Sequence, residues 1–376
     1  MISPALESLL SGLAKKPGVH HAVLAVESGD GAFAWAGATG DADNTGRPMT
    51  ADTPYFVASV TKLYIAAVVL RLVERDEVGL DEPFAAYLPS GLANRLHVFD
   101  GADHTGAITV RHLLSHTSGL PDYLEDKPRT GPRLIDRILA EGDRDLEIDE
   151  ICRTVRDDLT PHFPPQPLLT EQSVRARYSD TNFALAIAII EAVSGHAWHE
   201  ALATELLEPL GLLRTWAAGV EPPGTPTAPS ALWAGGEMLE LPRLLKSLGD
   251  MYSTVADQFA FMRALLSGMA FDDPATATLM QQHWNTFGFD PGTPRLPGWP
   301  IAYGLGTMRF ALPRWLTPFG AVPAVVGHTG STGCWLFYCP ELDIYTCGAV
   351  DNAAAGAVPF RAVPKVLRAV AKECES

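Results

Sequence analysis

Strand-forming sequence stands at both ends of this 376-residue chain, and helix-forming sequence fills the middle. Residues 23–36 read as a β-hairpin with its turn at Ser28-Gly29-Asp30-Gly31. Near the other end, residues 333–338 and 344–350 flank a Pro340-Glu341-Leu342-Asp343 turn, and residues 360–372 have the spacing of a closing helix. Antiparallel strands at both ends with helices beside them predict one sheet assembled from the two termini, an α+β fold. Between them, residues 109–115, 182–194, 199–207 and 255–267 have helical periodicity, separated by Pro/Gly-rich connections at 160–167 and 221–229. The expected organisation is a discontinuous sheet domain, residues 1–79 and 300–376, with a mostly helical domain, 80–299, inserted. The Gly/Pro-rich stretch 287–300 is expected to form a rim or lid over a site.

Composition narrows the partners. The chain is 47% hydrophobic and 19% charged, enough for a large core. Its formal net charge is −16 and it has no Lys/Arg run that would track a phosphate backbone, so nucleic acid is not an expected partner. The same acidity argues against docking on anionic lipid. The first ten residues lack a basic segment before an apolar core and read as an amphipathic helix; no stretch reaches membrane-spanning length. The expectation is a cytoplasmic protein. Five cysteines (152, 334, 339, 347 and 374) without zinc-like spacing are expected to be free, mostly buried thiols, although Cys334 and Cys347 fall on neighbouring strands of one hairpin.

The chemistry starts at Ser59-Val60-Thr61-Lys62, where a lysine follows a serine by one turn at the head of an apolar run reaching Leu70. A helix starting here is hydrophobic on nearly every face and should be buried, ending near Gly79. Residues three apart share a face, so the hydroxyl and the amine can meet. Burial and the positive end of the helix dipole both disfavour the ammonium, which predicts a lowered Lys62 pKa and a serine with a base beside it. The same residues also describe a serine N-cap followed by a lysine that reaches solvent. Two later segments bear on the choice. Tyr178-Ser179-Asp180-Thr181-Asn182 opens a helix with Ser179 or Asp180 as N-cap, placing a phenol just before it. Gly327-His328-Thr329-Gly330-Ser331-Thr332-Gly333 precedes the last hairpin; its small residues let a substrate approach closely, and its N–H groups can serve an oxyanion.

In this order, S-x-x-K, Y-x-[N/D] and [K/H]-T-G, the sequence resembles the serine β-lactamase and penicillin-binding-protein superfamily. The tyrosine in the second motif is similar to class C β-lactamases, D,D-carboxypeptidases and family VIII carboxylesterases. Residues 108–120, 251–257 and 303–306 support the resemblance, which runs from about Val23 to the final helix. It implies a β-lactamase/transpeptidase-like fold. It also implies Ser59 as nucleophile, Lys62 and Tyr178 sharing its deprotonation, and Tyr178 returning the proton to the leaving group. The N–H groups of Ser59 and Ser331 would form the oxyanion hole, and Asp180, His328, Thr329 and Gly330 would line the substrate site.

Two residues depart from the commoner pattern. Asp180 replaces an asparagine, and a carboxylate there raises the Lys62 pKa again, moving the role of base towards Tyr178. His328 replaces a lysine, so the positive charge offered to a substrate carboxylate is at most partial near neutral pH. His112 and His116, four apart, lack the glutamate of H-E-x-x-H and read as structural; no metal or cofactor is called for. No G-x-S-x-G occurs either. The reading is a serine hydrolase forming an acyl-enzyme on Ser59 with a small ester, amide or lactam. Carboxylesterase ranks first, with β-lactam or D-alanyl peptide hydrolysis next and acyl transfer as an alternative. A non-catalytic sensor ranks last, since every nucleophile element is present. The oligomeric state stays open.

Overall fold

The computed structural model describes residues 4–167, 173–222, 224, 227–234, 236–288, 296–313 and 322–374; of residues 373 and 374 it describes the backbone alone. A nine-stranded sheet organises the chain. Its order from one edge is Ala34–Gly40, His21–Ser28, Ile344–Val350, Trp335–Cys339, Val325–Thr329, Met308–Phe310, Ile301–Tyr303, Asn285–Phe287 and Arg175–Ala176. The first strand pairs antiparallel with the last, Ala25 opposite Cys347, so the two ends of the chain do build one sheet. Every residue of Ile344–Val350 is buried, as in a strand covered on both faces. The helices Pro4–Ala14, Val255–Ser267 and Val358–Cys374 pack along this part of the sheet.

The expected hairpins and helices are present, with shifted ends. The first hairpin closes over a longer connection than the expected turn, between Ser28 and Ala34, where Ser28 Oγ accepts from Phe33 N at 2.9 Å. In the last hairpin Leu336, not Cys334, faces Cys347, and both cysteines are buried free thiols. The apolar helix after Ser59 spans Thr61–Glu74 and is buried on almost every face, but stops short of Gly79: Asp76 takes a left-handed φ of 56° and turns the chain. Thr109 and Thr254 cap the helices Val110–Leu114 and Val255–Ser267 through backbone N–H groups.

The middle of the chain is not purely helical. Asn285–Phe287 and Arg175–Ala176 extend the main sheet, the latter by a parallel pairing. Tyr55–Phe56, Met251–Ser253 and Trp216–Ala217 form a separate three-stranded sheet beside Ser59. The main sheet therefore takes two of its strands from within residues 80–299. Half of the expected rim or lid at 287–300, residues 289–295, lies outside the described residues. Among the described residues, no helix is long and apolar enough to cross a membrane.

Candidate active site

Ser59 sits in a tight turn, Ala58–Val60, immediately before the Thr61–Glu74 helix. Ala58 has φ 44°, a conformation L-residues rarely adopt, and it aims the turn toward the sheet. One helical turn on, Lys62 Nζ donates to Ser59 Oγ at 3.2 Å. Tyr178 OH donates to the same oxygen at 2.8 Å. Lys62 also pairs with Asp180 Oδ1 at 2.6 Å and lies 5.2 Å from the centre of the Tyr178 ring. Two segments far apart in sequence thus meet at one hydroxyl.

Electrostatics revise the expectation for Lys62. Burial works to lower its pKa, but the charges of Asp180 and Asp250 and the hydrogen bond to Asp180 outweigh it, and the net shift is upward. The lysine rests as an ammonium: the lowering expected from burial is outweighed by the raising expected from Asp180. Tyr178 is displaced upward too, chiefly by burial and next by the charge of Asp180, against the opposing hydrogen bond to Ser59. At rest it is a phenol.

Ser179 occupies the N-cap position of the Asp180–Ser194 helix, but its hydroxyl donates to Pro121 O instead of capping. Asp122 takes that role from outside the helix, accepting from Asp180 N at 2.7 Å. Burial and the charges of Asp180 and Asp126 push its carboxyl upward, against backbone N–H groups that favour the anion. His116 grips the tyrosine from behind. Its carbonyl accepts from Arg177 N at 2.9 Å, its Nδ1 from Ser179 N at 3.3 Å, and its ring lies 4.4 Å from the Tyr178 ring. His116 lies beyond the Val110–Leu114 helix, with φ 57°, so it does not share that helix with His112. His112 places its nitrogens against Thr109 and the Gln166 carbonyl.

His328 lies on the Val325–Thr329 strand next to the site but is fully buried. Its Nδ1 donates to Thr329 O at 2.6 Å, which leaves Nε2 to accept from Tyr303 OH at 2.8 Å. Burial, and then the charge of Lys62, push its pKa down to about 3. It is neutral at ordinary pH and holds Tyr303, rather than lining the cleft as a partial cation. Thr329 is also buried, its hydroxyl directed at Met308 Sδ, while Ser331 is exposed at the turn after the strand. Between them Gly330 packs against the nucleophile turn: a Cβ there would come within 2.7 Å of Ala58 Cβ and 2.3 Å of Cys334 Sγ. Cys334 fastens the contact through Gly330 N to its carbonyl at 2.8 Å and its Sγ to Val57 O at 2.9 Å.

Asp250, Asp122 and Tyr303 were not singled out from sequence. Tyr303 lay in a supporting stretch of the resemblance; nothing around Asp250 marks it. Among the described residues, no group of three or more His, Cys, Asp or Glu side chains is arranged to hold a metal ion.

The family described as Beta-lactamase matches residues 6–350. The chain belongs to the β-lactamase family. Members of this family are serine hydrolases. The chain is similar to Penicillin-binding protein 4 of Amycolatopsis lactamdurans, 29% identical over 313 residues, which are 77% of this chain and 69% of that protein. It is 32% identical to Esterase EstB of Burkholderia gladioli over 203 residues, 53% of this chain and 47% of the esterase. That match spans about half the esterase's length. Among solved structures, a D-stereospecific amidohydrolase from Streptomyces sp. superposes with TM-score 0.71 at 25% identity, covering 96% of this chain and 97% of that one. A D-amino acid amidase from Ochrobactrum anthropi SV3 superposes with TM-score 0.73 at 23% identity over 99% of both chains, a likeness of fold.

Proposed function

We propose that this β-lactamase-family protein hydrolyses small carboxylic esters or amides through an acyl-enzyme on Ser59. The observation that carries the reading is the pair of hydrogen bonds converging on Ser59 Oγ, from Lys62 and from Tyr178. In the first step Tyr178, ionised to the phenolate by loss of its proton to solvent, takes the proton of Ser59 Oγ as that oxygen attacks the substrate carbonyl carbon. Lys62 is held as an ammonium by Asp180, so it serves as the fixed positive charge that makes a transient phenolate tolerable, and Tyr178 is the base. The N–H groups of Ser59 and Ser331 are the proposed oxyanion donors, with Gly330 holding the second beside the first. Collapse expels the alcohol or amine, which takes the proton from Tyr178. Water then attacks the acyl-enzyme by the same route in reverse.

The neutral, buried His328 favours substrates without a carboxylate to be anchored there, which ranks esters and simple amides ahead of β-lactams. His328 and Asp180 then act by positioning, His328 through Tyr303 and Asp180 through Lys62. A panel of p-nitrophenyl esters, nitrocefin and D-alanyl p-nitroanilide on wild type and Ser59→Ala tests the reading. Ester turnover that vanishes in Ser59→Ala is expected. Turnover that persists there sinks the mechanism, and turnover of nitrocefin but no ester reverses the ranking. Adding an alcohol or amine acceptor to the same assays detects acyl transfer as a new acylated product.

A further inference from the structure

Ser331 stands inside a tight reversal that Gly330 and Cys334 close at its base. Gly330 N donates to Cys334 O at 2.8 Å, and Gly333 N donates to Gly330 O at 3.0 Å. The first bond makes the two ends of the reversal move as one, so whatever holds Cys334 also places Ser331. Cys334 is held by the segment that presents the nucleophile. Its thiol is 1% exposed and donates to Val57 O at 2.9 Å. Thr332 Oγ1 donates to the same sulfur at 3.8 Å, which leaves the sulfur's own proton for Val57. Burial pushes the thiol up to about 12, so that proton stays in place.

Val57 O has a second donor. Val60 N reaches it at 3.1 Å, and this bond closes the Ala58–Val60 turn that carries Ser59. Val57 N is itself fixed to Met251 O at 2.9 Å. One anchored carbonyl therefore belongs both to the turn of the nucleophile and to the reversal of Ser331. Gly330 permits the approach, because a Cβ there would lie 3.0 Å from Val57 O. Apolar contact alone is non-directional and lets two turns slide, whereas a hydrogen bond to a shared carbonyl fixes their offset. An oxyanion hole needs that offset fixed, since its two N–H groups must converge on one oxygen.

We propose that Cys334 is a positioning residue for the oxyanion hole: its thiol, bonded to Val57 O, sets the spacing of the Ser59 and Ser331 N–H groups. This rests on the hydrolase reading above and adds a residue that touches no reacting atom. A thiol that only fills space would affect folding, and the test separates the two. kcat and KM for p-nitrophenyl propionate are measured on wild type, Cys334→Ala, Cys334→Ser, Cys339→Ala and Ser59→Ala, each beside a thermal melt. Cys339 is a fully buried thiol at the far end of the adjoining strand, Trp335–Cys339. The same proteins are titrated with ethylboronic acid. Its boron bonds to Ser59 Oγ, the serine proton is released, and the tetrahedral anion places an oxygen in the hole. Cys334→Ala is expected to lose about 10-fold in kcat and about 10-fold in boronate affinity, with KM within about twofold of wild type. Cys334→Ser keeps a donor and should recover most of both, while Cys339→Ala should match wild type. A folded Cys334→Ala with normal kcat overturns the inference, as does a kcat loss without a loss of boronate affinity. A serine variant no better than alanine overturns it too. If Cys334→Ala does not fold, Cys334→Val, which also lacks the donor, is read in its place. Absence of Ser59-dependent turnover of any p-nitrophenyl ester instead removes the hydrolase reading, and this inference with it.

Discussion

At Lys62 and Tyr178 the protons are held by neighbours, and Asp180 is the neighbour they share. An anion beside either group favours its protonated form, so removing the anion lets the proton leave at lower pH. With both groups displaced upward, kcat/KM for an ester is expected to climb through the alkaline range instead of levelling near neutrality. In Asp180→Asn the rising limb should move toward neutral pH, a shift read from pH–rate profiles; an unmoved limb would show that neither group carries the proton. His116 gives a second prediction. His116→Leu removes the acceptor for Ser179 N and places a branched residue at φ 57°, so a kcat loss of about 100-fold is expected with KM little changed. His116→Asn keeps an acceptor and tolerates that φ, and should recover part of the rate. Ser59, Lys62 and Tyr178 were legible in the sequence because each motif carries its chemistry within a few residues. The charge of Lys62 was legible too, because Asp180 stands in the second motif; the added pull of Asp250 was not, because it reaches Lys62 only through tertiary packing.

Gly330 shows how one element is set against another. Its strand approaches the Ala58–Val60 turn so closely that a methyl group meets Cys334 Sγ and Ala58 Cβ. Gly330→Ala is expected to lower kcat by about 100-fold while leaving the sheet folded, measured as ester turnover beside the thermal melt. A variant with normal kcat would mean that the two elements separate without harm to the site. The hairpins at 21–40 and 335–350 could be read in advance because their alternation and turns are local signals. Arg175–Ala176 and Asn285–Phe287 could not, since strands of two and three residues have no period to detect.

Over the whole molecule, the buried acids make stability depend on pH in a predictable sense. Burial, then the charge of Asp180, raises the Asp250 carboxyl to about 7, against the opposing effect of Lys62. The folded state therefore binds a proton that the unfolded chain has released above about pH 4, and stability falls as pH rises from there through 7. Asp250→Asn removes that penalty: Tm should rise by a few degrees at pH 8 and change little at pH 4, by melting at each pH. No gain at pH 8 would show that the charged carboxylate is well accommodated.

The pairing of His21–Ser28 with Ile344–Val350 has a consequence for how the protein is made. A ribosome delivers the first hairpin more than 300 residues before its partner strand, so that strand must wait with one edge unsatisfied while the helical middle emerges. Ser59, Lys62 and Tyr178 will all have left the tunnel by then, but Gly330 and Ser331 will not. A prematurely terminated product would carry the nucleophile without the strand that faces it. Acquisition of activity is thereby tied to completion of synthesis, and the waiting edge is where a chaperone would be needed.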